Sequence, residues 1–297
     1  MKLYNDYGAY LKERYGTKVY RIGIDAGFSC PGRCLYCNAN GSRASYTDPK
    51  KPVRDQIKTR IDYLKDAKGA VKFIAYFQAF TNTYAPAERL KATYDEALPF
   101  KEIVGISIGT RPDAVDEEKL ALISSYKKRY EVWIEYGLQS SHDKTLDYIS
   151  RGHTFSDFVN AVKRSKELGI SVCAHVIIGL PGETRNDIIG TARKLSELKI
   201  DGVKIHLLHI LKGSALEKLY NEGKVTVLEQ DEYAELVCDF LENLSKDILI
   251  QRLTGEGRGE SHIAPLWALD KTGTINKIIE KMEERPSRQG LYFSAVP

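Results

Sequence analysis

Three of the chain's five cysteines fall within eight residues. Cys30, Cys34 and Cys37 are separated by three and then two residues, with Pro31, Gly32 and the aromatic Tyr36 between them. Thiolates at this spacing read as a metal site, because an odd cysteine count and the absence of an apolar export stretch after Met1 do not suit a disulfide framework. A four-sulfur zinc site normally pairs two such knuckles. Cys173 and Cys238 stand alone, so a closed tetrahedral site would need a histidine or an acid from elsewhere. Three thiolates instead suit a cubane iron–sulfur cluster in which three irons are held by protein and the fourth is open to a small ligand. An open iron implies chemistry.

Further polar groups recur in short clusters along the chain. Gln78 stands in Phe77-Gln78-Ala79-Phe80, with Asn82 and Tyr84 behind it. Arg111 precedes Pro112, which holds it extended; its partner is a carboxylate or phosphate, or a neighbouring acid such as Asp113 or Glu135. Trp133, Glu135, Gly137 and Gln139 share one face at period two, and Arg151 follows twelve residues after Gln139. Cys173, His175 and Ile177 also share a face and lead into Gly179-Leu180-Pro181-Gly182. Lys204, His206, His209 and Lys212 could bind an anion or deliver protons, or form a solvated loop. Arg252, Glu256 and Trp267 are substrate-side candidates.

The elements that must position these groups alternate in type. β-rich runs at Val19–Ile24, Val71–Phe77, Ile103–Ile108, Val132–Tyr136, Val172–Ile178 and Val203–Leu208 are separated by amphipathic stretches, including 53–64, 87–98, 117–126, 155–168 and 187–198. Thr154 with Asp157, and Thr184 with Asp187, fit capping boxes, and Gly169 would close the helix before the fifth strand. Six β-α units predict an α/β fold with a mostly parallel sheet. A partial (β/α)6 TIM-like barrel is favoured, because the reactive clusters lie at strand C-terminal ends and a barrel brings those ends to one mouth. The expected organisation is a barrel core with lead-in over 1–210 and a C-terminal α/β extension over 211–297 packing on it.

The cysteine motif after a first barrel strand resembles the signature of the radical S-adenosylmethionine (radical SAM) superfamily. The resemblance runs from about Tyr20 to Phe293 and is nearest to the YhcC-like branch, with more distant similarity to the elongator catalytic subunit and oxygen-independent coproporphyrinogen oxidase. It is carried by 26–31, 76–84, 109–113, 135–140, 150–153, 175–183 and 251–255. It implies a [4Fe-4S] cluster on Cys30, Cys34 and Cys37, S-adenosyl-L-methionine (SAM) at the open iron, and a 5′-deoxyadenosyl radical that abstracts hydrogen from substrate. It also implies cofactor contacts for Gln139 and Arg151, with Arg151 pairing the cofactor carboxylate and the adenine beside the Gly179–Gly182 turn; Tyr36, Gln78, Arg111, His175 and Ile177 are the further cofactor-binding candidates. Glu135, His206, His209 and Lys212 are then the catalytic candidates. The sequence departs from the family's common pattern twice: Gln78 replaces a Gly-Gly-Glu turn, and His175 stands where relatives often have an acid.

Composition bounds the partners. With 42% hydrophobic and 28% charged residues the chain is expected to be soluble and globular, and no apolar run is long enough to span a bilayer. Cytoplasmic localisation without membrane association is the expectation, with flavodoxin or ferredoxin as electron donor. A net charge of +4 permits an anionic partner without demanding one. The resemblance makes tRNA, through remodelling of a wobble-uridine side chain, the leading substrate class. A small metabolite or peptide substrate, or a non-catalytic metal-binding or redox-sensing barrel, stands as the alternative.

Overall fold

The computed structural model describes residues 2–32, 34–38, 43–255, 259 and 261–294. Its strands are β1 (Val19–Ile24), β2 (Lys72–Phe77), β3 (Ile103–Thr110), β4 (Glu131–Gln139), β5 (Ser171–Ile178), β6 (Gly202–Leu207), β7 (Ile210–Leu211), β8 (Leu249–Arg252) and β9 (His262–Ala264). Seven of them form one curled parallel sheet in the order β1-β2-β3-β4-β5-β6-β8, while β7 and β9 pair antiparallel. The six expected strands are thus joined by a seventh, β8, parallel to β6. Each crossover carries helix, as parallel pairing requires: α2 (Val53–Lys68), α3 (Ala87–Asp95), α4 (Glu117–Ser125), α5 (Asp143–Tyr148) with α6 (Phe155–Glu167), and α7 (Arg185–Glu197). The barrel is preceded by α1 (Tyr7–Tyr15); α8 (Ala215–Asn221) and α9 (Gln230–Glu242) lie between β6 and β8, and α10 (Lys271–Glu284) follows.

Period-two alternation sorts the strand residues into two layers. Ile22, Phe73, Ala75, Ile106, Ile134, Val172 and Val203 meet the surrounding helices in the main core. The opposite face holds Ile74, Trp133 and Cys173, which pack on Tyr7 and Leu11 of α1 as a floor to the barrel. Above that floor the inward positions become polar. The open edges of β1 and β8 are linked by a hydrogen bond from Arg21 to Gln251, and Ile250 N donates to Asn5 O at 2.7 Å, so the N-terminal segment extends the sheet beyond β8.

Both expected capping boxes form: the Thr154 and Thr184 hydroxyls each accept from the backbone N–H of the aspartate three residues on, and their own backbone N–H donates to that aspartate's carboxylate. Gly169 takes φ 64°, where its missing side chain costs nothing, and the chain turns into β5. Glu256 and most of the 254–260 stretch lie outside the described residues.

Candidate active site

The loop leaving β1 carries Cys30, Cys34 and Cys37 and is tied to four parts of the barrel mouth. At its start the buried Asp25 carboxylate accepts from Gly27 N at 3.0 Å and pairs with Arg43, while Gln56 Nε2 of α2 donates to Asp25 O at 2.8 Å. Thr81, beyond β2, donates to Cys30 Sγ at 3.2 Å, and Arg151, beyond α5, places Nη1 3.4 Å from Cys34 Sγ. Leu35 N donates to Ile149 O, Leu216 N to Leu35 O, and Asn38 Nδ2 to the Lys212 carbonyl. Cys30 is half-buried, Cys34 buried and Cys37 exposed at the residue level.

All three thiols are free, and the donor set distinguishes a cluster from a single ion. Two sulfurs on one tetrahedral zinc stand about 3.8 Å apart, given a Zn–S bond of about 2.3 Å. Among the described residues the one trio of metal-binding side chains that converges within 4.8 Å is Glu135, Cys173 and His175, and it excludes the loop cysteines. Within that trio Glu135 pairs with Lys204 and with His175 Nε2. The Cys37 thiol is pushed up to about 11 by burial and then by Cys34 and Cys30, so its sulfur lies in the field of the other two. A shared cationic centre removes that penalty. The loop therefore fits a cluster bridging three separated thiolates.

Beside the loop, β4 ends irregularly. Gln139 adopts φ 78° and the register with β5 slips between Gly137 and Gln139. The slip turns the Gly137 carbonyl toward Arg151, whose Nε and Nη2 both donate to it, at 2.9 and 2.6 Å. A side chain at Gly137 would crowd this junction: a Cβ would stand 2.7 Å from Arg151 Nη2 and 2.9 Å from Gln139 Nε2. Arg151 is buried, which removes the option of a solvated turn arginine. Arg111 is equally buried; it pairs with Asp113 through Nε and Nη2, and among the described residues its Nη1 has no hydrogen-bond partner. That nitrogen faces Gly32 of the cysteine loop, where any Cβ would collide with it.

Other expected cofactor positions lie around this centre. Gln78 Nε2 is 3.0 Å from where a Cβ on Gly23 would stand, at the end of β1. Tyr36 packs with Ile177, Leu180, Leu146 and Ile149 in an apolar cluster, and Gly179 and Gly182 take φ 91° and 79° in the turn above β5. Asn82 is an internal staple: it is fully buried, and its Nδ2 donates to the carbonyls of Phe77, Ala79 and Gly109, so it does not reach outward. Tyr84 is exposed.

Below the mouth the barrel encloses a charged network. Glu135 is 1% exposed and bonds Lys204, His175 Nε2 at 2.8 Å and Ser107 Oγ. Burial alone would raise its carboxyl, but Lys204, the His175 hydrogen bond and Arg21 outweigh that and hold it well below the usual range. Lys204 is sealed from solvent, its ammonium 3.9 Å from the Tyr76 ring centre, and burial pushes it down to about 7 against the attraction of Glu135. The His175 ring lies 5.3 Å from that of His206. His206 Nδ1 faces Arg252 Nη1 at 3.5 Å, and because a guanidinium only donates, the proton of this neutral ring sits on Nε2, which has no partner among the described residues. His209 packs edge-on against His262, with ring centres 5.1 Å apart, whereas the Lys212 side chain is exposed. Trp267 donates to Leu228 O and packs on Tyr233, away from these rings. Arg21 and His262 belong to this interior but were not among the sequence-derived candidates; the inward alternation of β1 was the signal for Arg21.

These groups occupy the mouth and interior of a fold that is shared with known proteins. Residues 26–195 match the radical SAM superfamily, and residues 200–284 match the Radical_SAM C-terminal domain.

The chain belongs to the radical SAM superfamily.

It is 43% identical to the uncharacterized protein MJ0486 of Methanocaldococcus jannaschii over 98% of this chain and 92% of that one. It is 35% identical to protein YhcC of Escherichia coli strain K12, over 92% of this chain and 91% of that one. In fold it is similar to the archaeal Elp3 of Methanocaldococcus infernus, with a TM-score of 0.68 and 18% identity, covering 91% of this chain and 64% of that one. Membership of the radical SAM superfamily makes the chain an enzyme whose cofactors are a [4Fe-4S] cluster and SAM. No helix among the described residues is long and apolar enough to cross a membrane.

Proposed function

We propose that this radical SAM enzyme modifies the side chain of a tRNA wobble uridine, holding its [4Fe-4S] cluster on Cys30, Cys34 and Cys37. The observation that carries the cofactor assignment is the meeting of the cysteine loop with Thr81 and Arg151, groups from separate strand ends, at one mouth. The bound cofactors supply reductive cleavage of SAM to a 5′-deoxyadenosyl radical and methionine. Arg151, fixed on Gly137 O, orients the loop and offers its guanidinium to a carboxylate. Arg111 contributes the unpaired Nη1 as a second donor, Gln78 and Gln139 contribute amides, and Tyr36, His175 and Ile177 line the wall toward the adenine. Residues 211–297 form the extension that covers the mouth, bringing Arg252 and His262 toward substrate beside His209 of the core. His206 Nε2–H, oriented by Arg252, donates to an acceptor on the substrate, and the Glu135–Lys204 pair keeps the His175 ring in place. Lys212 serves at the outer rim.

The family resemblance carried by the sequence motifs supports the tRNA reading, and a cytoplasmic setting would provide reduced flavodoxin or ferredoxin as electron donor. The test is made on protein reconstituted without oxygen: dithionite and SAM are added, and 5′-deoxyadenosine and methionine are followed against Cys34→Ala. Release of both by the parent alone, rising when tRNA from cells lacking the chain is added, with a mass change in one nucleoside, is the expected result. Full cluster occupancy with product formation that ignores tRNA would overturn the substrate assignment.

A further inference from the structure

The segment between the cysteine loop and the middle of α2 is chemically unlike the rest of the surface. Residues 43–63 hold six basic and three acidic side chains, a surplus of three positive charges in a chain whose net charge is +4. On this segment the Arg60 guanidinium is sandwiched between two tyrosines, 4.1 Å from the Tyr46 ring centre and 4.6 Å from that of Tyr63. Both rings are exposed, Tyr46 at 44% and Tyr63 at 54%. Neither packs against another aromatic ring among the described residues.

Arg60 has no counter-ion. Its neighbours do: Lys58 pairs with Asp62 at 2.8 Å and Arg43 with Asp25, whereas among the described residues no carboxylate lies within ion-pair distance of Arg60. Its Nε is buried in the sandwich without a hydrogen-bond partner. A guanidinium stripped of water on two sides and left without an anion is costly unless an anion arrives from outside. Lys50, Lys51 and Arg54 are exposed on the same stretch.

The sandwich is continuous with the candidate active site. Tyr46 OH accepts from Gly23 N at 2.8 Å, capping the free edge of β1, and stands 3.0 Å from where a Cβ on Gly23 would be, as Gln78 Nε2 also does. A flat ligand stacked on these rings therefore lies at the rim of the mouth, beside the cofactor side of the barrel.

We propose that Tyr46, Arg60 and Tyr63 form a stacking platform for unpaired RNA bases flanking the modified nucleotide, with Arg60 and the surrounding lysines contacting phosphates. The tyrosine faces receive bases without regard to sequence, and the guanidinium supplies charge and orientation. This proposal rests on the tRNA reading above.

The experiment measures retention of tRNA by reconstituted protein at about 50 and about 200 mM salt for the parent, Tyr63→Ala, Tyr63→Phe and Arg60→Gln. Tyr63→Ala is expected to weaken binding about five- to a hundredfold and Tyr63→Phe by less than about threefold, because the ring face is what binds. Arg60→Gln should lower the slope of log affinity against log salt by about one contact. All variants should cleave SAM without tRNA at the parent rate. Parent-like tRNA affinity in both Tyr63→Ala and Arg60→Gln overturns the platform and leaves the tRNA reading intact. No retention of tRNA by the parent at low salt overturns both. Unchanged tRNA affinity with slower reduction by flavodoxin also overturns the platform and reassigns the patch to the electron donor.

Discussion

The guanidinium of Arg151 spans the 3.4 Å to Cys34 Sγ from one nitrogen while its other two nitrogens hold the Gly137 carbonyl at 2.9 and 2.6 Å. A ligand-bearing loop from the first strand is thereby registered against the irregular end of the fourth. The link is rigid because Arg151 is buried and its fork is planar, so the guanidinium cannot serve Gly137 and drift from the sulfur.

Arg151→Lys should expose how much that fork contributes. A single ammonium cannot make the bifurcated contact and reach Cys34 together, and loss of one buried charged hydrogen bond is worth about 1.5–3 kcal/mol. SAM affinity of the reconstituted variant, measured by equilibrium dialysis, is expected to fall about ten- to a hundredfold with the iron content retained. An affinity within twofold of the parent would remove Arg151 from the cofactor site.

Gly137→Ala tests the same junction without touching a charge. The added Cβ must displace Arg151 Nη2 and Gln139 Nε2, both within 3.0 Å of it. Weaker SAM binding and a changed cluster EPR signal on SAM addition are expected. The melting temperature should fall by only a few degrees, since both displaced groups are side-chain ends.

Each of Cys30→Ala, Cys34→Ala and Cys37→Ala is expected to fold and to lose the brown colour of the cluster, together with 5′-deoxyadenosine formation. The thiols are free, and a sulfur-to-methyl change leaves little cavity. Iron and sulfide assays against circular dichroism separate loss of cluster from loss of fold. Cys173→Ala and Cys238→Ala, both buried and remote from the loop, should keep full iron.

Glu135→Gln leaves the Lys204 ammonium buried without its counter-charge, at a cost of about 3–5 kcal/mol. Thermal melting should show a drop of about 10 °C, recovered in large part by adding Lys204→Met, which removes the stranded charge. A single variant as stable as the parent would show that Lys204 is neutral in the folded protein.

The interior histidines set an acid limit. Burial, followed by His262 and Arg252, pushes the His209 imidazole down to about 4, and His175 is also lowered to about 4, chiefly by burial. Between about pH 4 and the ordinary histidine value near 6.5 the unfolded chain binds more protons than the folded one. Their contribution to stability is therefore complete above about pH 6.5 and is lost as pH falls through about 4. His209→Gln should flatten the decline in melting temperature over that window, and an unchanged slope would show that His209 is solvated.

The cysteine spacing, the alternation of strands and helices and the two capping boxes were legible along the chain, because each depends on residues a few positions apart. So was the family: the phrases that carry it are contiguous. Pairings across the barrel were not legible. Glu135 and Lys204 are 69 residues apart and meet because both point inward from nearby strands, and Arg151 finds Cys34 because a one-residue slip at Gly137 turns a carbonyl. Asn82 is an inward staple because the carbonyls of Phe77, Ala79 and Gly109 converge on it, which its place in the sequence does not reveal. Local chemistry dictates which residue types stand at strand ends; only the curl and shear of the sheet decide which of those ends touch, since that depends on packing summed over the whole barrel.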